Sequence, residues 1–390
     1  MPAGVRVEPV VKADAYGHGA VPAALALQAA GADGFSVATL DEALELRQGG
    51  VTLPVLVLYP VPPEWIAEAA RQRIAVSLGP GAPARQVLAA ATAAAAAGAP
   101  DLEVHVEIET GLGRGGVLPS EAAVAVDAVL RTPGVRLGGT WMHLAAAERI
   151  DLSVAQDERF SAALSALPEA VAWGADPASG ARRHTSGSGG VLGGAMAPRE
   201  AVRIGLSMYG IIPGGVVPAP NASTAAAGLC PVMAVVTRPV RVAELPAGHG
   251  VSYGPSFVTA RPSRIATLPI GYGDGWRRFL TDRAEGLVRG VRVPLVGRVA
   301  MDAVMADVTD VPGPPVDEDD EIVLLGTQGG ASITADDLAA TGGTISHEIV
   351  TGMSRRMPRV YHAAGSPVDV RTLVDGGPRG QDRALERGYL

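Results

Sequence analysis

Lys12 is the residue on which chemistry converges, because no other lysine occurs in 390 residues. Every other member of the 32 Lys and Arg is an arginine. A surface charge can be either type. An amine that must shed its proton and attack a carbonyl has to be lysine, since guanidinium stays charged below a pH of about 12. The pattern favours a lysine that captures a carbonyl carbon over a residual surface charge. The apolar pair Val10-Val11 ends at Lys12, and Tyr16-Gly17-His18-Gly19 reads as a turn before an Ala-rich helix from about Ala20. The amine is therefore expected at the C-terminal end of a strand, where barrel enzymes carry their chemistry.

Other residues invite two readings each. Arg203 stands alone in the apolar run Val202 to Leu206, and a buried arginine is costly unless paired, with a structural carboxylate or with something it serves. His184-Thr185-Ser186-Gly187-Ser188-Gly189-Gly190 follows a strand and opens a helix. Small residues there let backbone N–H groups approach a phosphate, though a plain Ser/Gly turn reads the same way. Glu107 and Arg114 flank a Gly-rich stretch, His143 ends a strand, and Tyr253 sits in a Gly-rich turn. A solvated acid, a satisfied core histidine and a half-buried amphipathic ring are their ordinary readings.

The elements that must position these groups fall into two patterns. From Val7 to about Pro213, strands near Val7–Val11, Gly34–Val37, Leu53–Leu58, Ile74–Val76, Leu102–Ile108, Leu137–His143, Arg183–Ser186 and Ala201–Leu206 alternate with Ala/Leu-rich helices. Eight strands with intervening helices over roughly 200 residues is the count of a (β/α)₈ barrel. Gly214 to Gly228 reads as a polar Gly/Ala/Pro linker, and a mainly β second domain follows. The expected division is 1–222 for the barrel and 223–390 for the β domain. A length of 390 residues itself favours two domains.

Composition bounds the function. A net charge of −8 with pI about 5.4 argues against a nucleic-acid surface. No apolar run is long enough to cross a membrane, no motif suggests a metal site, and no charged, apolar, small-residue leader opens the sequence. The single Cys230 excludes an internal disulfide. A cytoplasmic protein is the expectation.

The stretch Val10-Val11-Lys12-Ala13-Asp14-Ala15-Tyr16-Gly17-His18-Gly19 resembles the cofactor-lysine motif of the alanine racemases, fold-type III enzymes dependent on pyridoxal 5′-phosphate, in nine or ten adjacent positions. Similar matches recur from Val10 to Arg359. The resemblance implies Lys12 as cofactor lysine and one of two catalytic bases, with Tyr16 and Ser188 on the phosphate side. Val202-Arg203-Ile204-Gly205-Leu206-Ser207-Met208-Tyr209-Gly210 matches a family stretch in which Arg203 addresses the pyridine nitrogen and Gly205 and Leu206 belong to the cofactor site. A cation at that nitrogen weakens the ring as an electron sink, so proton return is favoured over transamination. Glu107-Ile108-Glu109-Thr110-Gly111-Leu112-Gly113-Arg114 resembles a stretch whose arginine binds the substrate carboxylate. Many relatives carry a carbamylated lysine where this chain has Glu107, a built-in carboxylate of the same sign. His143 would tune the opposite phenol.

The second half extends the likeness. Ala247-Gly248-His249-Gly250-Val251-Ser252-Tyr253-Gly254 matches the stretch that carries the second base, here Tyr253. Ile270–Gly275 and Gly297–Asp302 match stretches lining the substrate entrance, with Tyr272, Met301 and Asp302 near the carboxylate. The family donates these groups from a neighbouring subunit, which implies a homodimer with shared sites. Two further positions depart from the family: Gly187 replaces an asparagine, and Arg355 replaces a phosphate-side tyrosine and alters the pocket entrance. The expected activity is interconversion of L- and D-alanine, supplying D-alanine for peptidoglycan. Racemisation of serine or another larger amino acid, or non-catalytic cofactor binding, are the alternatives. A related decarboxylase lacks support, as no Glu-Pro-Gly-Arg stretch occurs.

Overall fold

The computed structural model describes residues 4–174 and 180–374. Eight parallel strands form one sheet: β1 (Arg6–Val7), β2 (Phe35–Val37), β3 (Val55–Val57), β4 (Ile74–Leu78), β5 (Leu102–Glu107), β6 (Val135–Trp141), β7 (Arg182–His184) and β8 (Ala201–Val202). The order β1-β8-β7-β6-β5-β4-β3-β2 leaves β1 and β2 at the two ends. Beyond β1, Val10 bridges Ser36, Val11 N–H donates to Ser36 O at 2.9 Å, and Ser36 N–H donates to Pro9 O at 2.9 Å, so the ring closes. β2, β3 and β4 are buried at every position. Strands covered by helices on one side and by the barrel interior on the other read as short unbroken apolar runs rather than as alternation.

Helices at Ala20–Ala29, Leu40–Gln48, Ile66–Arg71, Gly81–Ala96, Ala122–Arg131 and Ile150–Ser165 connect the strands, the first starting where it is expected, at Ala20. Leu40–Gln48 starts at a capping box, in which Thr39 Oγ1 accepts from Glu42 N–H and the Glu42 carboxylate accepts from Thr39 N–H.

The chain divides into two compact units, Met1–Cys230 and Pro231–Leu390. The division thus falls later than the expected 222/223. Residues 214–228 are not all linker: Ser223–Ala227 is helical, and Ala226 packs with Leu192 and Val216 on the barrel unit. Burying that small apolar face is what holds the segment to the first unit.

The second unit is built on antiparallel strands β9 (Val235–Thr237), β10 (Arg241–Leu245), β13 (Ser263–Leu268), β14 (Glu285–Val288), β15 (Val291–Val296), β16 (Val304–Asp307), β17 (Ile322–Gln328) and β18 (Ala331–Ile333). The order is β10-β13-β16-β15-β14-β17-β18, with β9 beside β17. The short hairpin β11 (Gly250–Val251) and β12 (Phe257–Val258) carries the Tyr253 turn. Leu268, Trp276, Leu287, Val288, Ile322 and Leu324 are fully buried in this unit.

Candidate active site

Lys12 stands where β1 delivers it, beyond Val11, but the turn that follows differs from the expected one. Ala13, Asp14, Ala15 and Tyr16 all have φ between 53° and 55°, and Gly17 has φ 82°. The chain makes a left-handed turn directly after the lysine, rather than beginning to turn at Tyr16. Left-handed geometry costs non-glycine residues about 1–2 kcal/mol each, so the surroundings must impose it. Ala13 N–H donates to the Glu42 carboxylate at 2.7 Å, Ala20 N–H donates to Asp14 Oδ1 at 2.9 Å, and Gly17 and Gly19 N–H close onto Ala13 O and Asp14 O. Lys12 is half-buried. Burial, and then the positive charge of Arg114, lower the proton affinity of its amine, Glu42 opposes this, and Arg203 adds to it. A lysine so placed has a larger neutral fraction and is a better nucleophile than a free one.

Arg203 follows β8 and is buried. Its guanidinium lies 4.8 Å from the ring centre of Trp141 and donates to His184 Nδ1, His184 O and Met142 O, each at 2.7 Å. Its nearest hydrogen-bond partners are therefore neutral, which answers the question posed by an arginine in an apolar strand. Glu107 ends β5, and its Oε1 lies 3.7 Å from the Arg114 guanidinium, which also sits 5.8 Å from the Tyr59 ring centre. Burial raises the Glu107 proton affinity and Arg114 offsets it. His143, beyond β6, is exposed in the single chain. Partial desolvation by neighbouring side chains, then the charges of Arg203, Arg114 and Lys12, push its imidazole downward, toward the neutral form. These influences bring Lys12, Arg114, Arg203 and His143 to one place.

A second cluster surrounds Gly205. Gly205 N–H and Ser207 N–H donate to Ser188 Oγ at 3.1 and 3.2 Å, leaving the serine hydroxyl its own proton to donate. A Cβ on Gly205 would overlap the Tyr16 hydroxyl, so only glycine lets phenol, serine and backbone meet. Leu206 begins a 3₁₀ turn, Leu206–Tyr209, and Tyr209 donates to Val10 O at 2.9 Å, tying this cluster to the lysine strand. Burial raises the Tyr16 phenol to about 12, so it acts as a hydrogen-bond donor. Hydroxyls and amides about a glycine, a desolvated amine and a buried guanidinium are the donor set that pyridoxal 5′-phosphate requires for its phosphate, aldehyde and ring nitrogen.

In the second unit, the stretches 247–254, 270–275, 297–302 and 354–356 form a connected surface. Ser252, at φ 64°, donates through Oγ to Arg298 O at 2.6 Å. Tyr272 and Gly273 N–H donate to Ala300 O and Met301 O at 3.0 and 2.9 Å. Arg356 grips Asp274 with two bonds, of 2.7 and 2.9 Å, and Asp302 with one of 2.6 Å. The candidate residues on this surface are open: Tyr253 is 73% exposed, Met301 53% and Tyr272 41%. Arg355 is exposed within the neighbouring turn.

Sequence reasoning missed Glu42, Tyr59, Asp274 and Arg356. A signal existed for Glu42, in the Thr39-x-x-Glu42 capping pattern, and for Arg356, which adjoins the motif residue Arg355. Tyr59 sits in no motif. Among the described residues there is no cluster suited to a metal ion and no helix long and apolar enough to cross a membrane.

Comparison with known proteins agrees with this geometry. Residues 1–213 match the model of the alanine racemase N-terminal domain and residues 232–361 that of the alanine racemase C-terminal domain. The chain is 38% identical to alanine racemase of Desulfovibrio desulfuricans over 358 residues, covering 90% of each protein. It is 40% identical to that of Symbiobacterium thermophilum, covering 91% of this chain and 90% of that protein. It superposes on the crystal structure of alanine racemase from Bacillus anthracis with bound L-Ala-P at a TM-score of 0.83 and 33% identity, covering 96% and 92% of the two chains. The structure from Bartonella henselae with covalently bound pyridoxal phosphate gives a TM-score of 0.76 and 27% identity, covering 90% and 91%. The chain belongs to the alanine racemase family of isomerases.

Proposed function

We propose that this protein interconverts L-alanine and D-alanine with pyridoxal 5′-phosphate, using Lys12 and Tyr253 as the two proton carriers. The carrying observation is the desolvated, sole lysine set beside the guanidinium groups of Arg114 and Arg203. Lys12 would hold the cofactor aldehyde, Tyr16, Ser188 and the Gly205 and Leu206 backbone its phosphate, and Arg203 its ring nitrogen. When bound, the cofactor supplies the electron sink that acidifies the substrate Cα.

Every remaining task belongs to the protein. Arg114, steadied by Glu107 and Tyr59, offers a planar fork of donors to the substrate carboxylate. Glu107 supplies the anion that many relatives obtain from a carbamylated lysine. Racemisation needs Cα to lose a proton on one face and gain it on the other, and an amine and a phenol on opposite sides meet that need. His143, held neutral, accepts or donates a hydrogen bond without adding charge. Arg203, a cation that can only donate, would keep the ring nitrogen unprotonated and the electron sink weaker, which favours proton return.

Tyr253, Tyr272, Met301 and Asp302 serve a neighbouring subunit in this reading, so the active form is a homodimer. Their exposure in the single chain supports it. A cytoplasmic role in making D-alanine for peptidoglycan follows from the activity. A racemase for serine or another larger amino acid is the second reading, favoured by Arg355 at the entrance. Solvent-deuterium exchange at Cα across a panel of L-amino acids, with purified protein and pyridoxal 5′-phosphate, tests both. Exchange fastest with alanine supports the first reading, and cofactor absorbance with no exchange on any amino acid overturns both.

A further inference from the structure

Glu103, His105 and Glu107 alternate along β5, and Arg182 and His184 alternate along β7, so both sets point into the barrel. Barrel interiors are ordinarily filled by branched apolar side chains. Here a continuous line of hydrogen bonds runs through the interior. Arg203 NH1 contacts His184 Nδ1 at 2.7 Å, His184 Nε2 contacts His105 Nδ1 at 2.9 Å, and His105 Nε2 contacts Glu103 Oε1 at 2.9 Å. His105 and His184 are fully buried.

One proton arrangement satisfies the whole line. Guanidinium can only donate, so His184 Nδ1 must be bare. A neutral His184 then carries its proton on Nε2 and donates to a bare His105 Nδ1. His105 in turn carries its proton on Nε2 and donates to the Glu103 carboxylate, which can only accept. The 3.3 Å approach of Arg182 to His105 Nε2 is then proximity between two donors, and Arg182 bonds Glu103 at 3.2 Å instead. Burial first, and then the surrounding arginines, disfavour the charged form of His184, and burial does the same for His105. Arg136, Arg182 and Glu8 are the other charged groups facing this line.

The backbone is shaped around His105. The β5–β6 register shifts between Val104 and His105, so that Val104 pairs with Leu137, His105 with Gly139, and Gly138 is skipped. A Cβ on Gly138 would overlap Glu103 and His105, and one on Gly139 would overlap Arg182 O and approach His105 Nδ1 at 2.9 Å. Two glycines and a bulge thus make room for one imidazole.

We propose that His105, anchored by Glu103, is a positioning residue for Arg203: by accepting from His184 Nε2–H it completes, together with the donating guanidinium, the His184 tautomer that holds Arg203 in its functional pose. The proposal rests on the cofactor reading only for what Arg203 faces. The test has two arms. In the first, the apoprotein carries ¹⁵N-labelled histidine. His184 should show a bare Nδ1 and a protonated Nε2 from about pH 5 to about pH 9, a range over which a free imidazole titrates. In His105→Phe a sizeable fraction of His184 should move its proton to Nδ1, and His105→Asn, whose amide oxygen can still accept from Nε2–H, should restore the parent pattern. A His184 that keeps the parent tautomer in His105→Phe overturns the proposal.

In the second arm the holoenzyme carries the same variants. His105→Phe should lower kcat about tenfold, as loss of an outer-shell partner does elsewhere, with KM held within about twofold. His105→Asn should recover most of the loss. Equal impairment of both variants points to packing alone and overturns the proposal. Apoprotein that shows the parent tautomers but takes up no pyridoxal 5′-phosphate overturns the cofactor reading and supports the relay.

Discussion

The barrel and the β unit each carry candidate functional groups, and they hold them in opposite ways. Lys12, Arg203 and Ser188 are themselves buried or half-buried, pre-set by backbone strain, by glycine at 205 and by a hydrogen-bonded interior. Tyr253, Tyr272 and Met301 are exposed, and the order of their surface depends on the Asp274–Arg356–Asp302 ion pairs and short backbone links. The barrel half is built to alter proton affinities, as Lys12, Glu107 and His143 show. A phenol acting as an acid or base must have its affinity tuned, so its tuning has to come from whatever covers that surface. In the proposed homodimer a second copy does so.

The contrast can be broken or sharpened by substitution. Lys12→Ala should remove the visible absorbance of lysine-bound cofactor and at least about a thousandfold of turnover, since no second side-chain amine exists; retained absorbance contradicts the assignment. Tyr253→Phe should cost about a hundredfold or more in one direction of proton transfer. Cofactor absorbance should stay intact, and Cα deuterium exchange measured from each enantiomer would show the asymmetry. Equal loss from both enantiomers would weaken the two-carrier reading.

Smaller effects test positioning. Glu107→Gln removes the anion beside Arg114 and should raise KM about tenfold with little change in kcat; an unchanged KM in steady-state assays removes Glu107 from the site. Arg356→Gln should loosen Asp302 and raise KM roughly threefold, without altering cofactor absorbance. The smallest change is one of pH. The Lys12 amine is depressed in the protein, so cofactor capture by apoprotein should rise with pH through a midpoint below the ordinary 10.5. In Arg114→Gln, where a positive neighbour is gone, that midpoint should move upward. Stopped-flow absorbance across a pH series measures both.

The strands of the barrel were legible because each is a short apolar run set off by turn residues. All eight lie near their expected places. In the β unit, β10, β11, β12, β14 and β18 carry weaker marks: they are short, and the burial of β10 is mixed rather than cleanly alternating. The linker reading of 214–228 failed because Ala and Gly residues serve a packed helix as readily as a flexible tether. Lys12, Arg203 and Tyr253 stood out because each is a residue type misplaced for its local pattern.

The amino-acid sequence by itself determined the alternation of strands and helices in the barrel, the position of the sole lysine and the family to which the chain belongs, since these reside in adjacent residues and local periodicity. The tertiary structure decided that the chain turns left-handed after Lys12, that Arg203 rests on neutral partners, and that His105 meets His184 across 79 residues of sequence. Those outcomes depend on which side chains a closed ring of strands forces together. Hydrogen bonds between groups so far apart in the chain leave no periodic trace, because their energy depends on distance and angle in space and not on separation along the chain.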